Sequence, residues 1–231
     1  MPLLTDLKDQ LEKLPKKKQR KILAGSMKKY AGLVAEATAS LKGSVDGAGF
    51  ALKVFPEEDF AKILTRVRQA ATIAARLKKR LVEDIDAVAK NASEQDVTRL
   101  GEHAKTARAA LKERWQALLS ERIEPHEKLV GVVRGIPELA PKGGAKLGAL
   151  LDELRRQVAR VPASQTEADS IRGSLDDLPR VIETLGLEGE VGEFLVQAAS
   201  GLGDPEKLYR PAIRDFFTGR DLWGLLRVKI R

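Results

Sequence analysis

PEEDFAKILTRVRQAATIAARLKKRLVEDIDAVAK, residues 56–90, and SEQDVTRLGEHAKTARAALKERWQALLSERI, residues 93–123, stand almost end to end in the chain. The first places Phe60, Ile63/Leu64, Val67, Ala70/Ala71, Ala74, Leu77, Leu81, Ile85 and Val88 at alternating steps of three and four. The second does the same with Val97, Leu100, Ala104, Ala107, Leu111, Trp115, Leu118 and Ile123. A 3.5-residue apolar repeat is the mark of helices that bury a narrow seam against one another. The spacing predicts two antiparallel helices, each about 50 Å long at 1.5 Å per residue, with a tight turn at residues 91–93. Pro56 followed by Glu57, Glu58 and Asp59 suits the first turn of a helix, where negative charge meets the positive end of the dipole. Ser93 with Asp96 reads as the N-cap of the return helix. Counting outward from the turn sets Ala74 level with Ala110, small residue facing small residue. Pro125 is expected to kink or end the second helix, with Leu129–Val133 as a candidate continuation.

Upstream, Leu4, Leu7, Leu11 and Leu14 predict a short amphipathic helix over residues 3–14, broken or restarted at Pro15. A second helix follows to about Leu41, with Ile22, Leu23, Met27, Tyr30, Leu33, Val34, Ala37 and Leu41 on one stripe. Gly43, Gly47 and Gly49 read as the loop that ends it. Phe50–Phe55 alternates and reads as a strand. Downstream, Gly135–Gly144, with Pro137 and Pro141, reads as a domain boundary and flexible linker. Shorter helices are predicted near 145–160, 166–185, 188–199 and 205–217. The end, Leu226-Arg-Val-Lys-Ile-Arg231, alternates apolar with basic and reads as a terminal strand that pairs with Phe50–Phe55 or with a partner's sheet edge. The expected fold is therefore mostly all-α: basic N-terminal helices and loop (1–55), a long coiled-coil-like hairpin (56–134), and a small C-terminal helical domain with its strand (145–231).

Composition suits this outline. The chain has 231 residues, 43% of them hydrophobic and 32% charged, and aromatics make up only 4%. Its core must be aliphatic and alanine-packed. The absence of cysteine removes disulfides, thiolate metal sites and cysteine nucleophiles, and fits a cytoplasmic protein. Asp6, Lys8, Asp9 and Glu12 interrupt any apolar signal core, and no stretch nears the 18 or so uncharged apolar residues of a membrane span. The net charge of +8 is concentrated early: residues 1–31 hold nine Lys/Arg against three Asp/Glu.

That basic run, Lys16, Lys17, Lys18, Arg20 and Lys21, continued by Lys28 and Lys29, would attract a phosphate backbone. The competing reading is the solvated face of an amphipathic helix. Lysine predominates and no aromatic residue interleaves the run, so base stacking and bidentate base reading are not indicated. A second patch, Arg76, Lys78, Lys79 and Arg80, is followed by Glu83, Asp84 and Asp86, and local pairing at i,i+4 offsets it. His103 and His126 have no partner at metal-ligand spacing, and Glu57-Glu58-Asp59 is explained by the helix dipole. Pro141-Lys-Gly-Gly-Ala-Lys146 lacks the spacing of a phosphate loop, and no nucleophile-elbow motif occurs. No catalytic, metal or cofactor site is expected, and no enzyme.

Tyr209, Phe216, Phe217 and Trp223 stand out in a chain poor in aromatics, with Phe194 a little upstream. They read as a C-terminal core, or as a partner interface, since aromatics anchor interfaces disproportionately. The expected function is a non-catalytic scaffold or adaptor subunit with protein partners, its exposed heptad faces also suited to a second copy of the chain. The alternative is a nucleic-acid-binding accessory protein, serving a DNA-processing ATPase, that contacts phosphates without reading sequence.

Overall fold

The computed structural model describes residues 17–83 and 92–225. The fold is mostly all-α, and no strand occurs among the described residues. Seven α-helices are described: α1 (Lys17–Ala51), α2 (Ala61–Glu83), α3 (Ala92–Arg134), α4 (Ala145–Val158), α5 (Gln165–Thr184), α6 (Gly189–Ala199) and α7 (Pro211–Thr218). The predicted helix at 3–14, Lys16, Asn91 of the predicted turn, and the predicted strand at 226–231 lie outside the described residues. The chain forms two compact units. The first takes residues 1–52 and 56–111, and the second takes 53–55 and 112–231.

In the first unit three heptad stripes are buried. α1 contributes Ala37, Leu41, Ser44, Ala48 and Ala51. Phe60 and α2 contribute Ile63, Val67, Ala70 and Leu77, and α3 contributes Val97, Leu100, Ala104, Ala107 and Leu111. α1 packs on α2. Ser44 Oγ lies 3.0 Å from the Ser40 carbonyl and 3.2 Å from the Ala104 carbonyl of α3. A groove between α1 and α3 is lined by Leu33, Ala37 and Ser40 on one side and Val97, Gly101 and Lys105 on the other. Ser44 of α1 meets Ala104 of α3, and the groove extends from there toward lower residue numbers on both helices, so α1 and α3 run parallel.

Two expectations are corrected here. α1 continues through Gly43, Gly47 and Gly49 to Ala51 instead of ending in a loop. None of these glycines takes the left-handed φ that stops a helix, and the burial of Ser44, Ala48 and Ala51 outweighs their low helix propensity. Phe50–Phe55 is the last turn of α1 followed by a turn at 52–54, not a strand. Its buried positions, Ala51 and Phe55, follow Ala48 at helical spacing. At Pro125 the expected continuation holds: α3 runs on through residues 129–133 to Arg134. Glu121, Glu124 and Pro125 are all exposed, so water can take up the carbonyl that proline leaves unbonded. A smaller shift is that α3 already begins at Ala92, which puts Ser93 inside its first turn.

The second unit gathers around the later part of α3. Trp115 is fully buried, meets Phe55 edge-on at 5.4 Å, and donates from Nε1 to the Gln157 carbonyl at 3.0 Å. Residues 137–144 form two short helical turns with Leu139 and Gly144 buried, a packed corner in place of an open linker. α4 packs on α5, and α6 on α7. α5 is capped by Ser164, whose Oγ accepts from the Glu167 N–H at 3.2 Å, while Glu167 reaches back to the Ala163 N–H at 2.7 Å. This is close to a capping box. Ion pairs cross between elements: Arg134 with Asp152 at 2.6 Å, Arg155 with Glu127 at 2.9 Å, and Lys146 with Asp177 at 3.3 Å.

Two glycines give a test of this packing with opposite signs. A Cβ on Gly192 of α6 would lie 2.3 Å from the Leu187 carbonyl oxygen, whereas one on Gly173 of α5 would meet open space. Gly192→Ala is expected to lower the melting temperature, and Gly173→Ala to raise it through a gain of about 0.5–1 kcal/mol. Thermal unfolding of both variants beside wild type checks the pair.

Half-buried His126 gives a second test. Burial holds its imidazole below the ordinary value of 6.5. The unfolded chain therefore takes up a proton that the folded chain refuses, and stability falls as pH drops below 6.5. Above that value His126 costs nothing. Melting temperatures from about pH 7.5 to about pH 5 should show a shallower loss in His126→Gln than in wild type.

Candidate interaction surface

The C-terminal end of the second unit is built on aromatic contacts. Phe217 meets Phe194 at 6.0 Å, Phe216 at 5.7 Å and Trp223 at 5.5 Å. α7 carries Phe216 and Phe217 on its buried face together with Ile213, and α6 supplies Phe194 from its own buried face. Pro211 opens α7, where its missing N–H is not needed. Asp204 starts the preceding turn by accepting from the Glu206 N–H at 2.9 Å.

Arg220 closes one side. Its guanidinium lies 4.3 Å over the Phe216 ring and donates to the Leu185 carbonyl at 2.9 Å. Gly186 follows Leu185 with φ +64, and a Cβ there would lie 3.0 Å from Arg220 Nη2. The turn between α5 and α6 thus needs glycine both for its backbone and for the arginine's approach.

The structure separates the four aromatic candidates. Phe216 and Phe217 are interior, while Tyr209 is 85% exposed and Trp223 40% exposed. Tyr209 and Trp223 border one groove of about 500 Å³, completed by Pro205, Glu206, Leu208, Arg214 and Thr218. Trp223 is steadied from both sides: its Nε1 donates to Thr218 Oγ1 at 3.2 Å, and its ring leans on Phe217. Leu202, 78% exposed, is a further large apolar side chain in this unit. The nearby cations are engaged. Arg210 pairs with Glu190, Arg214 with Asp215 at 3.5 Å, and Lys207 donates to Gln197 Oε1 at 2.9 Å. Pro205, Leu208, Arg214 and Thr218 were not singled out by sequence reasoning. They are scattered over a short 3₁₀ turn and one helix, and only the pair Pro205 and Pro211 hints that the chain folds back there.

The basic candidates lie elsewhere. Lys17, Lys18, Arg20, Lys21, Lys28 and Lys29 fall within α1, and Lys28 is exposed. The charge of the whole chain divides unevenly between the units. The first holds 21 Lys/Arg against 14 Asp/Glu, a net +7, and the second 20 against 19, a net +1.

Among the described residues no three His, Asp or Glu side chains converge as a metal site would need. Glu57 of the acidic trio is 3.6 Å from Arg68. No helix among the described residues is long and apolar enough to cross a membrane. No protein-family model matches the chain, and neither a curated protein nor a solved structure matches it.

Proposed function

We propose that the chain is a non-catalytic scaffold or adaptor subunit that binds a protein partner through the groove bordered by Tyr209 and Trp223. The observation that carries this reading is the exposure of those two aromatics beside an apolar groove, in a unit that otherwise keeps its few aromatics inside. Tyrosine and tryptophan supply large, rigid contact area and dominate the energetics of interfaces. The buried heptad stripes of α2 and α3 support a long antiparallel hairpin as the rigid element of such a scaffold. The lack of cysteine supports a reducing compartment, the cytoplasm.

A second reading has its own observation. The net charge of +7 on the first unit favours sequence-independent contact with nucleic acid through the basic run of α1.

The adaptor reading is tested by a photo-crosslinking residue placed at 209, with one at exposed Lys142 as control, in cells that make the protein. One discrete crosslinked protein at 209, absent at 142 and lost on Trp223→Ala, is the expected result. No crosslink above the control ends the reading. Tyr209→Ala should leave stability within about 0.5 kcal/mol of wild type, whereas Phe217→Ala should cost about 3–5 kcal/mol. Urea unfolding thereby separates the surface aromatic from the interior one.

A further inference from the structure

We propose that the exposed face of α2 is a track for the phosphate backbone of a nucleic-acid duplex, with Lys62, Arg66 and Arg76 as its contacts. This deepens the second reading by moving the contact surface beyond the N-terminal run of α1, and the two are separable by experiment. From Ala61 to Val82 the sequence has seven Lys/Arg and no Asp/Glu. Lys62, Arg66 and Arg76 are exposed, and at 100° per residue they fall within about 80° of one another on the helix. They span about 21 Å of helix axis, close to six steps of a duplex strand at about 3.4 Å each.

These three cations are not absorbed by the fold. Arg68, on the same helix, shows the contrast, with an ion pair at 3.6 Å to Glu57. Glu58 lies four residues before Lys62 yet makes no ion pair with it. In the second unit Arg134, Arg155, Arg160, Lys146 and Arg210 each hold a carboxylate on another element. A duplex fits better than a single strand. Among the described side chains of the first unit no aromatic is exposed, Phe50 being half-buried and Phe60 buried, so they offer no stacking platform for unpaired bases. The occupant is therefore recognised by its regular phosphate charge.

The test is fluorescence anisotropy of the full chain with a labelled DNA duplex of about 20 base pairs, at NaCl from about 50 to about 200 mM. Four variants are compared with wild type: Lys62→Gln/Arg66→Gln/Arg76→Gln; Lys62→Arg/Arg66→Lys/Arg76→Lys; Lys17→Gln/Lys18→Gln/Lys21→Gln; and Arg122→Gln/Lys128→Gln/Lys142→Gln as a charge-matched control. The expected result is a slope of log affinity against log salt shallower by about 2–3 in the first variant, with the charge-retaining variant and the control close to wild type. A first variant no different from the control overturns the inference. If the α1 variant alone flattens the slope, the second reading survives and the α2 track does not. No binding of the duplex at the lowest salt, or binding only to vesicles of anionic lipid, ends both.

Discussion

Three narrow apolar stripes, each one residue wide at steps of three and four, hold the first unit together. Six of their members are alanines: Ala37, Ala48, Ala51, Ala70, Ala104 and Ala107 are all buried. An alanine removes little apolar area from water, and each buried methylene-sized group contributes only about 0.8 kcal/mol. What the small residues provide instead is close approach, so that backbone and neighbouring leucines make dispersion contacts that larger side chains would prevent. Ser44 shows how near the helices come, since its hydroxyl reaches the Ala104 carbonyl of another helix at 3.2 Å. A larger residue at these positions would separate the helices and expose the stripes that the fold exists to bury.

The second unit solves the same problem by another route. Its interior is filled by large side chains, with Trp115, Leu119, Ile123, Leu139, Leu147, Leu151, Leu154, Leu185 and Leu187 nearly or fully inaccessible. Several helices are short, α6 having 11 residues and α7 eight. Helices of that length are marginal alone, so their order comes from tertiary anchors. Phe217 touches three other rings, and Arg220 ties Phe216 to the end of α5. Because Trp223 leans on this cluster, the exposed edge of the groove inherits the rigidity of the core beneath it. A preorganised aromatic edge loses less entropy on binding than a mobile one.

Periodicity made most of the helices legible. Val97, Leu100, Ala104, Ala107 and Leu111 are buried where the heptad put them, and α4 to α6 lie close to their expected ranges, whereas the helix expected over 205–217 is divided into a 3₁₀ turn, Pro205–Tyr209, and α7. The failures share a cause. Gly43, Gly47 and Gly49 carry a strong local stop signal, and Phe50–Phe55 a local alternation, but burial of Ala48, Ala51 and Phe55 is a long-range term that neither pattern contains. Pro125 left two outcomes open in the sequence, and the continuing helix is the one found, a local breaker tolerated where its side of the helix faces water. The groove was half visible. Tyr209 and Trp223 stand out by residue type, yet nothing in the spacing of Tyr209, Phe216, Phe217 and Trp223 tells which pair turns outward. That depends on the face α7 presents to α6, a tertiary fact.

The uneven charge is harder to explain by folding alone. Like charges four apart on a helix are destabilising by about 0.2–0.5 kcal/mol per pair, and Lys62 with Arg66 is such a pair, as is Arg76 with Arg80 in the sequence. Exchanging Arg66 or Arg76 for glutamate would turn repulsion into attraction without touching the buried stripe. A helix shaped only for stability would carry such exchanges, as α4 does with Arg156 paired to Glu153. α2 carries none between Ala61 and Val82, while Glu57 and Glu58 sit where the helix dipole rewards them. These acidic residues are thus placed by local electrostatics, and the basic ones of α2 are retained against it. A cationic face kept at a small standing cost to the fold supports the proposed anionic partner, whose attraction would weaken steeply as salt screens the charges.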